Sequence, residues 1–145
     1  MNKKFFSILG ILLFGVLFSA SAQIVGNWKT IDDETGKAKS VVEIYEGKDG
    51  KFYGKITKLF REPGEEQNPI CDVCPGSKKD KPVIGMIIIS GMEKTSSNMW
   101  KRGTILDPAT GNVYDCKMWR DGKNLEVRGY LGISLVGRSQ TWLPY

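Results

Sequence analysis

The chain has 145 residues, a formal charge of +5 and no histidine. That length sets one domain with one core. The missing histidine excludes Ser-His-Asp and Cys-His nucleophile sets and His-ligated zinc, and a mildly basic balance of interspersed charges gives no nucleic-acid footprint.

The first segment reads as a leader. Lys3 and Lys4 precede an apolar run from Phe5 to Phe18, and Ala20-Ser21-Ala22 supplies small residues for cleavage after Ala22. Residues 1–22 are therefore expected to be a signal peptide and 23–145 a single β-barrel domain. The apolar run is shorter than the about 20 residues a span needs, so no stable membrane insertion is expected after cleavage. No cysteine follows the site to carry a lipid. The expected destination is the periplasm or the medium, and the charge falls to +3 once Lys3 and Lys4 are gone.

Short β-type segments then follow one another. Ile24–Ile31 is the first predicted strand, ending at the polar turn Asp32-Asp33-Glu34-Thr35-Gly36. Ser40–Glu46 places Val42 and Ile44 on one face. An Asp-Gly turn leads to Lys51–Phe60, in which Phe52, Gly54 and Ile56 share a face. Arg61–Pro82 breaks the rhythm with prolines and charges and reads as one long surface loop with room for a short helical turn. Val83–Ser90 is a nearly continuous apolar run read as a strand, and Gly91–Asn98 as a connection. Met99–Leu106, Asn112–Trp119, Leu125–Tyr130 and Ile133–Trp142 complete the series, separated by Asp107–Gly111 and by Arg120-Asp121-Gly122-Lys123. The class is all-β: a single antiparallel up-and-down barrel of about eight strands, closed by pairing the first strand with the last. Such a barrel is either plugged by side chains or holds one small ligand.

Cys71-Asp72-Val73-Cys74 is the sharpest local motif. A thioredoxin-like reading needs the first cysteine at a helix start in a βαβ unit, and zinc needs four ligands. Between Pro69 and Pro75 in an exported all-β chain, the pair reads in preference as a disulfide that shapes the loop, worth only ~2 kcal/mol by loop closure. Cys116 is then the odd thiol, read as a buried apolar residue.

Gly26-x-Trp28 near the start, with Arg138 in the last strand, is similar to the lipocalin (calycin) pattern. In that superfamily the arginine packs across the tryptophan at the closed end of the barrel, so the resemblance implies barrel closure by Trp28 and Arg138, with Arg128 as an alternative partner for the ring. A wider set of motifs spans the chain from the Cys71/Cys74 loop through Trp100–Tyr114 and Val127–Gly132 to Gly137–Trp142. Together they resemble a family of small exported bacterial proteins, domain of unknown function 2147. Arg102 departs from that pattern, which would carry a second glycine before Ile105. The resemblance implies export and a compact lipocalin/calycin-like fold, but no reaction.

Trp100, Tyr114 and Arg128 are the candidate ligand-binding residues, set against the plainer reading that the aromatics pack the core. No catalytic set, cofactor or metal is assigned. The leading expectation is a non-enzymatic exported barrel that binds a small apolar or amphipathic molecule. The alternative is a structural or protein-interaction module of the cell envelope using the Arg61–Pro82 loop, and a thiol-redox protein ranks third. No nucleic-acid partner is expected.

Overall fold

The computed structural model describes residues 23–133 and 136–145. The leader segment, and two positions of the expected last strand, lie outside the described residues. Ten strands are present among the described residues: β1 (Gly26–Ile31), β2 (Ala38–Glu46), β3 (Phe52–Leu59), β4 (Ile70–Cys71), β5 (Lys81–Pro82), β6 (Ile87–Ser96), β7 (Met99–Leu106), β8 (Val113–Asp121), β9 (Asn124–Tyr130) and β10 (Gly137–Pro144). Eight of them close a barrel in the order β1-β10-β9-β8-β7-β6-β3-β2, every pairing antiparallel. β4 and β5 form a separate two-stranded ribbon within the long loop.

Closure comes from the two ends of the chain. Trp28 lies opposite Pro144 and Lys29 opposite Leu143, and the Tyr145 amide donates to the Asn27 carbonyl at 3.1 Å. The last edge is thereby removed. Alternation then places one side-chain set inside: Trp28 and Thr30 on β1, Ser40, Val42 and Ile44 on β2, Cys116 and Met118 on β8, and Leu125 and Val127 on β9, all buried.

One element differs from the sequence expectation. The apolar run Val83–Ser90 is a strand only from Ile87, and the strand continues to Ser96 through the stretch expected to be a connection. Val83 and Met86 belong to a turn, with the Met86 amide donating to the Val83 carbonyl at 3.1 Å. Their apolar character serves packing against the disulfide and the barrel, not strand pairing. At Gly91 a φ of +69° lets β6 kink and go on.

β7 holds the counterpart of the departing residue. Arg102 has φ +64° at a register shift between Trp100 and Gly103. It takes the left-handed conformation that glycine adopts without strain, so the bend is made there in spite of the side chain. Gly103 beside it admits no side chain, because a Cβ would lie 2.5 Å from the Ser90 carbonyl oxygen and against the Met92 sulfur.

Candidate functional site

The barrel is filled in one half and open in the other. Around Ile24 and the β2–β3, β6–β7 and β8–β9 turns, large inward side chains meet. Trp28, Ile44, Met92, Trp100, Met118 and Leu125 are all buried there. The Phe52 and Trp100 rings meet nearly perpendicular, at a centroid separation of 6.2 Å. The Trp28 indole donates to the Ile24 carbonyl at 2.8 Å.

Arg120 covers the Trp28 ring, its guanidinium carbon 5.1 Å from the ring centroid. The same guanidinium donates to the Asn124 and Gly122 carbonyls at 3.1 and 3.0 Å and to the Gln23 carbonyl. The closing pair is therefore Trp28–Arg120, and the expected Trp28–Arg138 pair is corrected. Arg138 lies at the start of β10, the far end from the Trp28–Pro144 register, and pairs with Asp33. Arg120 follows Tyr114, Cys116 and Met118 in the period-two series of β8, which brings it inside beside Trp28.

At the opposite end a cavity of about 590 Å³ opens between the strands. Its body is walled on one side by Ile56, Leu59, Ile88, Ile105 and Leu106 from β3, β6 and β7. Trp142 and Val127, both buried, form the base toward the filled half. The other side, from β1, β2 and β10, carries polar groups: Thr30, Ser40, Gln140 and Arg138. The Thr30 and Ser40 hydroxyls share a hydrogen bond of 2.7 Å, and the Ser40 amide donates to Thr30 Oγ1 at 3.1 Å.

A ladder of hydrogen bonds runs up this polar wall. Trp142 Nε1 donates to Gln140 Oε1 at 3.2 Å, and Gln140 Nε2 donates to Asp33 Oδ2 at 3.4 Å. Arg138 Nε donates to the same Asp33 oxygen at 2.7 Å, joined by Nη2. Asp32, next along the rim, is held below the ordinary carboxylate range by the Thr35 amide, then the Thr35 hydroxyl and the Glu34 amide.

The long loop builds one lip of the mouth. The Cys71–Cys74 disulfide is formed and buried. The Cys71 sulfur rests 3.3 Å from the Pro108 carbonyl oxygen, a packing contact because a disulfide sulfur has no proton to donate, and the Cys74 sulfur lies 3.8 Å from that of Met86. The Gly85 amide donates to the Ile56 carbonyl at 2.7 Å and the Ile84 amide to Asn68 Oδ1 at 3.1 Å. The loop is thus tied to β3 and laid against the β7–β8 turn. Pro69 and Ile70 from it, and Val83 from the turn that follows, line the cavity.

Of the three candidate ligand residues, Tyr114 lines the cavity. Trp100 is 1 % exposed in the filled half, with Lys94 Nζ 5.4 Å from its ring centroid. Arg128 stands on the outward series of β9, opposite Ser139 and Lys117, and donates to Ser139 Oγ at 3.0 Å. Sequence reasoning did not single out Thr30, Ser40, Gln140 or Trp142 as lining residues. A signal was present: the inward positions shrink toward the mouth, from Leu125 through Val127 to Gly129 on β9, and from Ile44 through Val42 to Ser40 on β2. Cys116 is fully buried as a free thiol, and burial pushes it up to about 12. Among the described residues no group of three or more Cys, Asp or Glu side chains is placed to hold a metal ion.

A closed eight-stranded barrel with one plugged end and one open, lined end is a lipocalin-like protein in architecture. Protein HP1028 from the human pathogen Helicobacter pylori, described as belonging to the lipocalin family, superposes with a TM-score of 0.73 over 85 % of this chain and 83 % of its own, at 21 % identity. At that identity the likeness shows the fold alone. The model of an uncharacterized family conserved in bacteria, domain of unknown function 2147, matches residues 26–143, and the chain belongs to that family. No curated protein matches the sequence.

Proposed function

We propose that this protein is a non-enzymatic, exported barrel that binds one small apolar or amphipathic molecule in its open half. The observation that carries the reading is the half-empty interior. A cavity of about 590 Å³ falls in the range of small-molecule sites, about 300–1,000 Å³, and joins an apolar body to a few placed polar groups. Had the upper half been packed like the lower, the envelope-module reading would have been preferred. Export is supported by the leader-like first segment and by the disulfide, which persists in oxidising compartments. No helix among the described residues is long and apolar enough to cross a membrane.

The test is titration of the mature chain with the neutral, polarity-sensitive dye Nile red, beside an Ile105→Trp variant. Ile105 is half-buried on the cavity wall, so tryptophan there occupies the space where a ligand would lie. Saturable fluorescence enhancement in the parent and its loss in a folded Ile105→Trp protein support the reading. Equal enhancement in both places the dye elsewhere and refutes it.

A further inference from the structure

The exposed apolar side chains gather at one end of the barrel. Among the described residues nine large apolar residues are exposed. Val25 stands beside Ile24 at the closed end, and Phe60 packs on the ring of Tyr145 at a centroid separation of 6.2 Å. The other six, Ile70, Val73, Val113, Leu131, Ile133 and Val136, are 47–61 % exposed and lie at the open end. Ile70, Leu131 and Val136 also line the cavity. The six form an arc over three of the four connections at that end, and the fourth, the turn at 32–37, is polar. Single exposed apolar residues are ordinary, but a gathering of them on one face marks a docking surface.

Charge and backbone chemistry choose the partner. The four connections of this end, residues 32–37, 60–82, 107–112 and 131–138, carry nine carboxylate side chains and six cations, a net −3 on a mature chain of +3. An anionic surface is repelled by the end that bears the apolar arc, whereas a zwitterionic one, with both signs in its headgroups, is not. The β9–β10 turn supplies the tip of the arc, and no charged residue stands between Tyr130 and Arg138. Within that turn the Leu131 amide donates to the Val136 carbonyl at 3.0 Å, the Ile133 amide to the Leu131 carbonyl at 2.7 Å and the Val136 amide to the Ile133 carbonyl at 3.1 Å. These amides are satisfied by the turn itself, so they can leave water without being stranded. Ile133 stands three residues beyond the Tyr130–Gly137 pair, at most about 10 Å at strand rise. Interfacial segments sink about 5–10 Å into the boundary of headgroups and acyl chains.

We infer that the open end docks peripherally on a zwitterionic phospholipid bilayer, with Leu131, Ile133 and Val136 entering the boundary between headgroups and acyl chains. A rigid partner fits this end less well. The arc borders an opening of about 590 Å³, and a flat protein face or a second copy laid across it would seal an empty space. Fluid acyl chains follow the contour and keep their contacts. The docking itself depends only on the outer side chains. Resting on the proposed ligand-binding role, it also turns the cavity toward the bilayer, so an apolar molecule passes between the two without crossing water.

The experiment is flotation of the mature chain with phosphatidylcholine vesicles, pure or with about a quarter of the lipid replaced by anionic phosphatidylglycerol. The parent is compared with Ile133→Ser/Val136→Ser and with Val25→Ser, all at exposed positions, and unchanged melting temperatures confirm intact barrels. The parent should float with pure phosphatidylcholine. The double variant should bind about tenfold or more weakly, and Val25→Ser, altered at the closed end, as the parent does. Phosphatidylglycerol should weaken the parent's binding at low salt, with the difference gone at about 1 M. A second measurement does not rely on loss. Emission of an Ile133→Trp protein should shift to the blue on vesicles and be quenched by phosphatidylcholine brominated on its acyl chains, and a Val25→Trp protein should show neither. A parent that stays unbound, equal binding of parent and double variant, binding only with phosphatidylglycerol, or an unquenched Ile133→Trp protein would each overturn the docking. So would a lipid-free dimer of the parent that is lost in the double variant, which would assign the arc to a second copy. Nile red bound in lipid-free solution with no vesicle binding would overturn the docking and leave the cavity reading intact, and vesicle binding with no dye bound would do the reverse.

Discussion

Replacing Gly111 with alanine should damage the protein far more than the same change at Gly122. Both glycines are left-handed, with φ of +74° and +57°, so alanine costs about 1–2 kcal/mol at either through backbone conformation alone. At Gly122 nothing lies within 4 Å of the added Cβ, and the loss should stop there. At Gly111 the new atom overlaps the Val73 carbonyl oxygen and lies 2.7 Å from its carbon. That carbonyl sits inside the ring closed by the Cys71–Cys74 disulfide, so it cannot swing aside as a free loop would. Relief requires lifting the loop off the β7–β8 turn, which unpacks the buried Cys71 and Cys74 from Pro108 and Met86. Exposing a buried apolar side chain costs about 1.5–3 kcal/mol, so the total is about 3–5 kcal/mol, the upper end for a single substitution. With a urea slope of about 1–3 kcal/mol/M, the midpoint should fall by about 2 M for Gly111→Ala and by under about 1 M for Gly122→Ala. Equal shifts would refute the docking of loop on turn as a rigid contact. Repeating Gly111→Ala in a Cys71→Ser/Cys74→Ser background should recover about 1 kcal/mol of the clash, since an open ring can yield, and strict additivity would show that something other than the ring holds the carbonyl.

Arg120→Ala should cost about 2 kcal/mol, through the lost stack on Trp28 and the carbonyls left at the closed end, whereas Arg138→Ala should stay within about 1 kcal/mol as one member of an exposed pair; chemical denaturation of the two variants decides which arginine closes the barrel. Gly103→Ala should cost more than about 2 kcal/mol against the Ser90 carbonyl and the Met92 sulfur, while Arg102→Gly should be neutral within about 1 kcal/mol, as relief at φ +64° offsets the lost exposed ion pair with Glu93. The buried Cys116 thiol, raised from 9.0 to about 12, ties stability to pH in a definite direction. Between those values the unfolded chain has released the proton that the folded chain keeps, so stability is whole below pH 9 and falls as pH rises toward 12; Cys116→Val should flatten that alkaline arm in melts against pH, and the native thiol should resist iodoacetamide until the chain unfolds. The mature chain's intact mass should begin at Gln23 and be two hydrogens short, as the single bridge requires.

The barrel was legible because strand periodicity and turn chemistry are local. Val42 and Ile44, or Cys116 and Met118, declare their shared face by spacing alone, and Asp-Gly and Arg-Asp-Gly mark the hairpins. The partner of Trp28 was not legible from its ends-of-chain pattern, because only the β1–β10 register places Arg138. It stands six positions before Pro144, the residue opposite Trp28, and about 20 Å away at strand rise. The correct arginine could have been found by extending the inward series of β8 by one step to Arg120. The run Val83–Ser90 misled for a different reason. Apolarity reports burial, and Val83 and Met86 are buried by a loop and not by a ladder. Arg128 and Trp100 were attractive by residue type, but type does not choose between the two faces of a strand or the two ends of a barrel.

What makes the interior half empty is a gradient of side-chain volume along the inward positions. On β1 the series drops from Trp28 to Thr30, on β2 from Ile44 to Ser40 and on β9 from Leu125 to Gly129. A barrel of this strand number is just wide enough for large side chains to fill, so the layer of Trp28, Trp100 and Met118 closes while the layer of Thr30, Ser40 and Gly129 leaves space. The small residues in the upper layer also account for its polarity, since Thr30 and Ser40 satisfy each other's hydroxyls at 2.7 Å and need nothing from the opposite wall. An apolar body can then occupy the space without stranding a buried donor. Enlarging that layer should therefore empty the protein of function before it empties it of stability. Ser40→Val removes the shared hydroxyl bond at a cost of about 1 kcal/mol, and it should weaken Nile red binding at constant fold. If affinity survives Ser40→Val and Ile105→Trp together, the molecule is not bound in this layer, and the gradient has some other cause.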